Sequence, residues 1–139
     1  MESSDGIRWK LILRYGVLTE ILIYLIVLPV FFLMGSSAGQ YLTLPLSFLG
    51  TFVFGWIAAG KVRSRPVIHG ILIGIVAMFA YIAIIIIINI VLVSAGIAPP
   101  APAPNSTGRS AYPLLFLIGH LLKVLGGAAG GFAAVFRRT

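Results

Sequence analysis

Residues 67–95 read VIHGILIGIVAMFAYIAIIIIINIVLVSA, 29 positions without one Asp, Glu, Lys or Arg. A helix needs about 20 apolar residues to cross the ~30 Å hydrocarbon core of a bilayer. This run is longer than that, so tilt or an extended end is expected. The stretch Ile84 to Ile88 would be an aggregation hazard in water. In lipid it is an ordinary helix face.

Three more apolar runs flank it, at about residues 11–35, 41–60 and 111–136. The chain of 139 residues is 60% hydrophobic and 9% charged, with a mean hydropathy of +1.10. Ordinary soluble domains are about 45–50% apolar and about 25% charged. A water-soluble fold is excluded, because most of this apolar surface would have nowhere to be buried. Four spans take about 80 residues and leave only short connections, so any chemistry belongs inside the membrane or at its surface. The expected fold is all-α: a polytopic membrane protein of four transmembrane helices, forming a single integral membrane domain over residues 1–139.

The connections have their own character. A basic start with Arg8, Lys10 and Arg14 precedes the first run, and Trp9 and Tyr15 suit the membrane interface. This start, the apolar stretch and the small residues Ser36, Ser37 and Ala38 also fit a secretory signal peptide. The apolar region is longer than the usual ~7–15 residues, so it reads as a retained anchor. Residues 35–40 are an uncharged loop, after which Pro45 is expected in the first turn of the second helix, where its missing amide proton matters little. Lys61-Val-Arg-Ser-Arg-Pro66 is a short basic turn. Residues 96–110 hold Ala98-Pro-Pro-Ala-Pro-Ala-Pro104, whose proline density gives an extended strap outside any helix. Asn105-Ser106-Thr107 matches a glycosylation acceptor and equally reads as a plain polar loop. The fourth run carries Pro113 in its first turn and ends at Arg137 and Arg138.

The net charge of +7 is arranged by position. Arg8, Lys10, Arg14, Lys61, Arg63, Arg65, Arg137 and Arg138 flank one side of the four runs, and Arg109 stands alone on the other. Cytoplasmic loops carry the Lys and Arg excess, so both termini and the basic turn are expected in the cytoplasm. The charge thereby reads as topology, and no nucleic-acid partner is expected. A basic rim of this kind attracts anionic lipid headgroups at about 1 kcal/mol per charge.

Helices in lipid associate through close packing, and small residues mark the contact faces. Gly55 and Ala59 follow Thr51 at i, i+4 spacing on the second helix. Gly70 and Gly74 lie with Ala77 and Tyr81 on one stripe of the third, while Gly119, Gly126 and Gly130 align with Lys123 on the fourth, Gly127 and Gly131 lying beside them. These faces serve packing within the bundle or dimerisation. The segment Gly55-Trp-Ile-Ala-Ala-Gly-Lys61, the basic turn and His69-Gly-Ile-Leu-Ile-Gly74 resemble the glycine-rich hairpin of small four-helix prokaryotic membrane proteins of the DUF3792-like type. The resemblance covers about 20 positions and the general four-helix layout. It implies architecture and no catalytic residues.

Ionisable residues inside membrane helices are functional candidates by default. Glu20, Lys123 and His120 qualify, with His69 at the basic border and Asn89 toward the other side. Glu20 shares a face with Gly16 and Tyr24. If the first helix starts near Tyr15 and the fourth ends near Val135, a rise of 1.5 Å per residue sets Glu20 roughly 8 Å deep and Lys123 roughly 18 Å deep. Three readings stand on this arithmetic: a strained direct pair, Glu20 held by His69 or the basic rim, or a working proton or ion site. His120 also raises a pigment site. Haem shared with His69 fails, because the two lie roughly 20 Å apart along the membrane normal.

The chain has no cysteine, three acidic residues and no phosphate-binding loop, carboxylate dyad or metal-spaced His/Glu pair. No catalytic or metal-binding residue and no cofactor is expected. The leading expectation is a non-enzymatic membrane protein, an assembly or accessory subunit that packs against itself or a larger complex. The alternative is a small transporter or channel component that uses Glu20 and Lys123 in a polar path.

Overall fold

A computed structural model describes residues 6–34, 36–96 and 112–137. The proline strap with its Asn105-Ser106-Thr107 triplet and Arg109, and also Glu2, Asp5 and Arg138, lie outside the described residues. The described regular structure is four helices: α1 (Trp9–Met34), α2 (Ser36–Gly60), α3 (Pro66–Ser94) and α4 (Tyr112–Phe136). Each is long and apolar enough to cross a membrane.

One expected connection is corrected. Residues 36–40 are not a loop but the opening of α2. They carry no charge and no proline, and close to an apolar phase a helix satisfies its backbone polar groups internally. Pro45 consequently lies inside α2 rather than in its first turn, as Pro29 lies inside α1. Each removes one helical amide, which membrane helices tolerate when neighbours restore the bonding.

The α2–α3 turn is set by the sequence Lys61–Pro66. The Lys61 and Val62 amides donate to the Ala58 and Ala59 carbonyls and end α2. Arg65 then takes a left-handed conformation with φ 52° and ψ 48°, which costs a non-glycine residue roughly 1–2 kcal/mol. Pro66 opens α3 at the position where a missing amide is harmless.

The helices run up, down, up and down. α1 packs on α2 and α3, α4 packs on the same two, and α1 and α4 occupy opposite corners without a close backbone approach. Glycine sets the tightest contacts. A Cβ on Gly70 would run into the Gly127 carbonyl, and one on Gly127 into the Gly70 carbonyl. A Cβ on Gly131 would stand 2.7 Å from the Pro66 carbonyl, and one on Gly55 2.9 Å from that of Gly127. Gly126 and Gly130 face the Phe48 and Phe52 carbonyls. Gly119 differs from these: a Cβ there would meet only Leu44 Cδ2, at an ordinary 3.7 Å. Where the α2, α3 and α4 stripes meet, they face one another inside a single bundle.

Candidate functional site

The α1–α3 and α3–α4 registers decide where the charges within the apolar helices go. A Cβ on Gly74 would stand 2.5 Å from the Lys123 carbonyl, and one on Gly16 would touch Val76 and the Ile73 carbonyl. Lys123 is therefore level with Gly16, about one turn nearer the basic end than Glu20. Helical side chains lean toward the amino end of their own helix, so Glu20 leans toward the basic end and Lys123 away from it. They converge: Lys123 Nζ lies 2.8 Å from Glu20 Oε1, with side chains 2% and 0% exposed.

The expectation of a strained pair offset by about 10 Å is corrected, and the reason is plain. α1 begins at Trp9, six residues before the assumed start at Tyr15. At 1.5 Å per residue those six residues shift Glu20 by roughly 9 Å, and the helix registers carry it the rest of the way, to about one turn beyond Lys123. Glu20 is held neither by His69 nor by the basic rim.

Aromatic groups surround the pair. Lys123 Nζ sits 4.5 Å from the centroid of the Tyr81 ring, a cation–π contact that strengthens when water is excluded. Tyr81 stacks on Tyr24 at 6.1 Å and meets the edge of His120 at 5.2 Å. Phe116 lies 4.1 Å from His120. The structure thus gathers Glu20, Lys123 and His120 around Tyr81, which unites both diagonal corners of the bundle. Tyr24 and Tyr81 were visible beforehand only as members of helical stripes. Their pairing depends on the parallel register of α1 and α3, which no local pattern encodes.

Hydrogen bonding is incomplete at this centre. Glu20 Oε2, His120 Nε2 and Ser47 Oγ have no hydrogen-bond partner among the described residues. Glu20 Oε1 is engaged by the Lys123 ammonium in a charge-assisted pair. Thr19 and Thr51 turn their hydroxyls back to the Tyr15 and Ser47 carbonyls, at 2.8 and 2.7 Å. A single proton placed on either member leaves the pair neutral overall, which is the form an apolar interior accepts.

His69 does different work at the basic end. Its Nδ1 donates to the Arg65 carbonyl at 2.9 Å, while its Nε2 accepts from the Arg8 amide at 3.1 Å. Those two roles describe a neutral ring protonated at Nδ1. The buried ring ties the strained Arg65 peptide to the entrance of α1. Arg8 Nη1 adds a bond to the Lys61 carbonyl at 3.1 Å, and Lys61 Nζ donates to the Tyr15 hydroxyl at 2.5 Å. Asn89 bonds the Ile85 carbonyl on its own helix. Among the described residues no three His, Cys, Asp or Glu side chains gather as metal ligands.

Comparison with known proteins gives no match: no family model, no curated protein and no solved structure aligns with the chain.

Proposed function

We propose that this chain is a non-enzymatic integral membrane protein that works through its outer faces, as an assembly or accessory subunit beside a copy of itself or a larger membrane complex. In this reading the termini and the Lys61–Pro66 turn are cytoplasmic, as the one-sided basic residues indicate. The membrane is that of a prokaryotic cell, a placement that rests on the resemblance of the α2–α3 hairpin sequence to DUF3792-like proteins alone.

The observation that carries the proposal is the contrast between a closed interior and an open exterior. Glu20, Lys123 and His69 are buried and engaged with one another or with backbone, while the far ends of α1 and α3 present Leu25, Phe32, Leu33, Ile86, Ile87 and Ile90 outward. The glycine stripes support this only indirectly, since several of them are occupied within the bundle. Association therefore falls to these apolar faces. Purification in mild detergent with mass measurement and membrane crosslinking tests it. A homo-oligomer or a co-purifying membrane partner is expected, and a lone monomer in both assays rejects the reading.

The transporter alternative draws on one specific observation, the unused hydrogen-bonding capacity of Glu20 and His120 at the bundle centre. It requires Glu20→Gln to abolish a flux in proteoliposomes while the protein still folds.

A further inference from the structure

A cleft of about 470 Å³ opens between the basic ends of α2 and α4, lined by Trp56, Ile57, Gly60, Lys61, Ala134 and Arg137. We propose that it binds the headgroup of an anionic phospholipid. The inference rests on the membrane topology given above and not on the presence of a protein partner.

Charge comes first. Glu20 is the sole acidic side chain among the described residues, and it is committed to Lys123 in the interior. Arg8, Lys10, Arg14, Lys61, Arg63, Arg65 and Arg137 gather at one end of the bundle, with no described carboxylate among them. Even with Glu2 and Asp5 of the same chain counted against them, these seven cations leave an excess of positive charge for the surroundings to balance.

Two of these cations are arranged rather than merely present. Arg137 Cζ lies 5.5 Å from the Trp56 ring centroid. A guanidinium held over an aromatic face keeps its N–H edge free for the oxygens of a phosphate. Lys61 Nζ spends one donor on the Tyr15 hydroxyl, and an ammonium has three. Lys61 and Arg137 thus both border the cleft, one from α2 and one from α4, with the Lys61 ammonium turned toward the Tyr15 ring on α1 and two of its donors unspent.

The apolar side of the cleft selects a lipid over a free anion. Small-molecule sites occupy about 300–1,000 Å³, and this cleft has room for a headgroup rather than a bare phosphate. From it, Trp56, Val53 and Leu49 run up one exposed face of α2, 36%, 43% and 52% accessible. That stripe offers an acyl chain a track starting at the headgroup.

The chain has two tryptophans, Trp9 and Trp56, so a Trp9→Phe variant reports on Trp56 alone. The full-length variant is placed in phosphatidylcholine vesicles containing brominated phosphatidylglycerol or, at equal fraction, brominated phosphatidylcholine. Stronger quenching by the anionic lipid is expected. Lys61→Gln with Arg137→Gln should weaken the preference by about fivefold for each charge removed, whereas Lys10→Gln with Arg63→Gln should preserve most of it. All four side chains are exposed, and an unchanged elution profile verifies the fold. Equal quenching by both lipids overturns the proposal, as does equal loss from either pair of variants, which would mean diffuse attraction by the whole basic end. Abolition of the preference by inorganic phosphate would assign the cleft to a free anion and also defeat it. Because isolated protein suffices, this test fails or succeeds independently of the accessory-subunit reading.

Discussion

The basic half of the bundle and the far half belong to the same four apolar helices, yet they pack differently. From the α2–α3 turn to the level of Glu20, all four helices contribute fully buried side chains, among them Ile12, Thr51, Ala59, Ile73 and Ala77. Beyond that level α1 exposes Leu25, Leu33 and Met34, and α3 exposes Phe79, Ile87, Ile90 and Val93. The difference follows small residues rather than hydropathy. α3 carries Gly70, Gly74 and Ala77 in its first half and the run Ile84 to Ile88 in its second. In a membrane, leucine-like surface gains nothing by leaving lipid for protein, so helices meet where backbones can approach. Glu20 and Lys123 sit at the upper limit of the close-packed zone, where its last polar contact spans the two corners.

The sharpest way to break this comparison is to spoil a backbone contact in the basic half. Gly127→Val forces a side chain into the Gly70 carbonyl, and α3 and α4 must separate. Overpacking ordinarily costs about 1–3 kcal/mol. Against two backbones that cannot yield, loss of the folded species in a detergent melt is expected. Gly119→Ala, facing only Leu44 at 3.7 Å, should change the same melt little.

Next in size is the ion pair. Lys123→Met leaves the Glu20 charge buried without a partner, a loss of about 3–5 kcal/mol for such pairs. Combining it with Glu20→Met removes both charges and should restore most of the stability, because a buried pair and an apolar replacement are often nearly equivalent. The melts of the two single variants and the double variant form the cycle. An unchanged Lys123→Met melt would show that the 2.8 Å contact carries no structural load.

What the sequence disclosed here follows a physical division. The number of helices, and that each is long and apolar enough to cross a membrane, rest on run length and hydropathy, which are local quantities, and both were legible. Glu20, Lys123, His120 and His69 stood out because a charge or imidazole in an apolar run is conspicuous. Their partners were not legible. Pairing depends on where each helix begins, and Trp9, a good interfacial residue, proved to lie inside α1 as its first residue. The same ignorance hid the role of His69: its two bonds reach Arg65, four residues away, and Arg8, just before α1. Residues 36–40 misled for a related reason, since small polar residues suit both loops and helix starts.

A smaller effect is expected at the clamp. His69→Ala removes the acceptor of the Arg8 amide and the donor to the Arg65 carbonyl. Each net hydrogen bond contributes about 0.5–1.5 kcal/mol, so a loss of roughly 2 kcal/mol is expected. Hydrogen exchange localises it: the Arg8 amide should lose protection while the amides around Lys123 keep theirs. Uniform loss along all four helices would mean that the basic half unfolds as one unit and has no separable clamp.

The smallest effect belongs to the far half and bears most directly on the contrast between the two. Ile86 and Ile87 are 53% and 59% exposed, whereas Ile73 on the same helix is fully buried. Ile73→Ala creates a cavity among α1, α3 and their neighbours, and truncations of that kind cost about 2–5 kcal/mol. Ile86→Ala and Ile87→Ala remove methyl groups that face lipid in the folded bundle and in its separated helices alike. No transfer between phases occurs, and a change within about 0.5 kcal/mol is expected, as for exposed positions generally. The three variants differ only in position along one helix, so propensity and composition cancel. If Ile86→Ala destabilises the isolated protein as strongly as Ile73→Ala, the far half is packed in the monomer. Its faces would then be unavailable to a partner, and the proposed role of the outer surface would lose its footing.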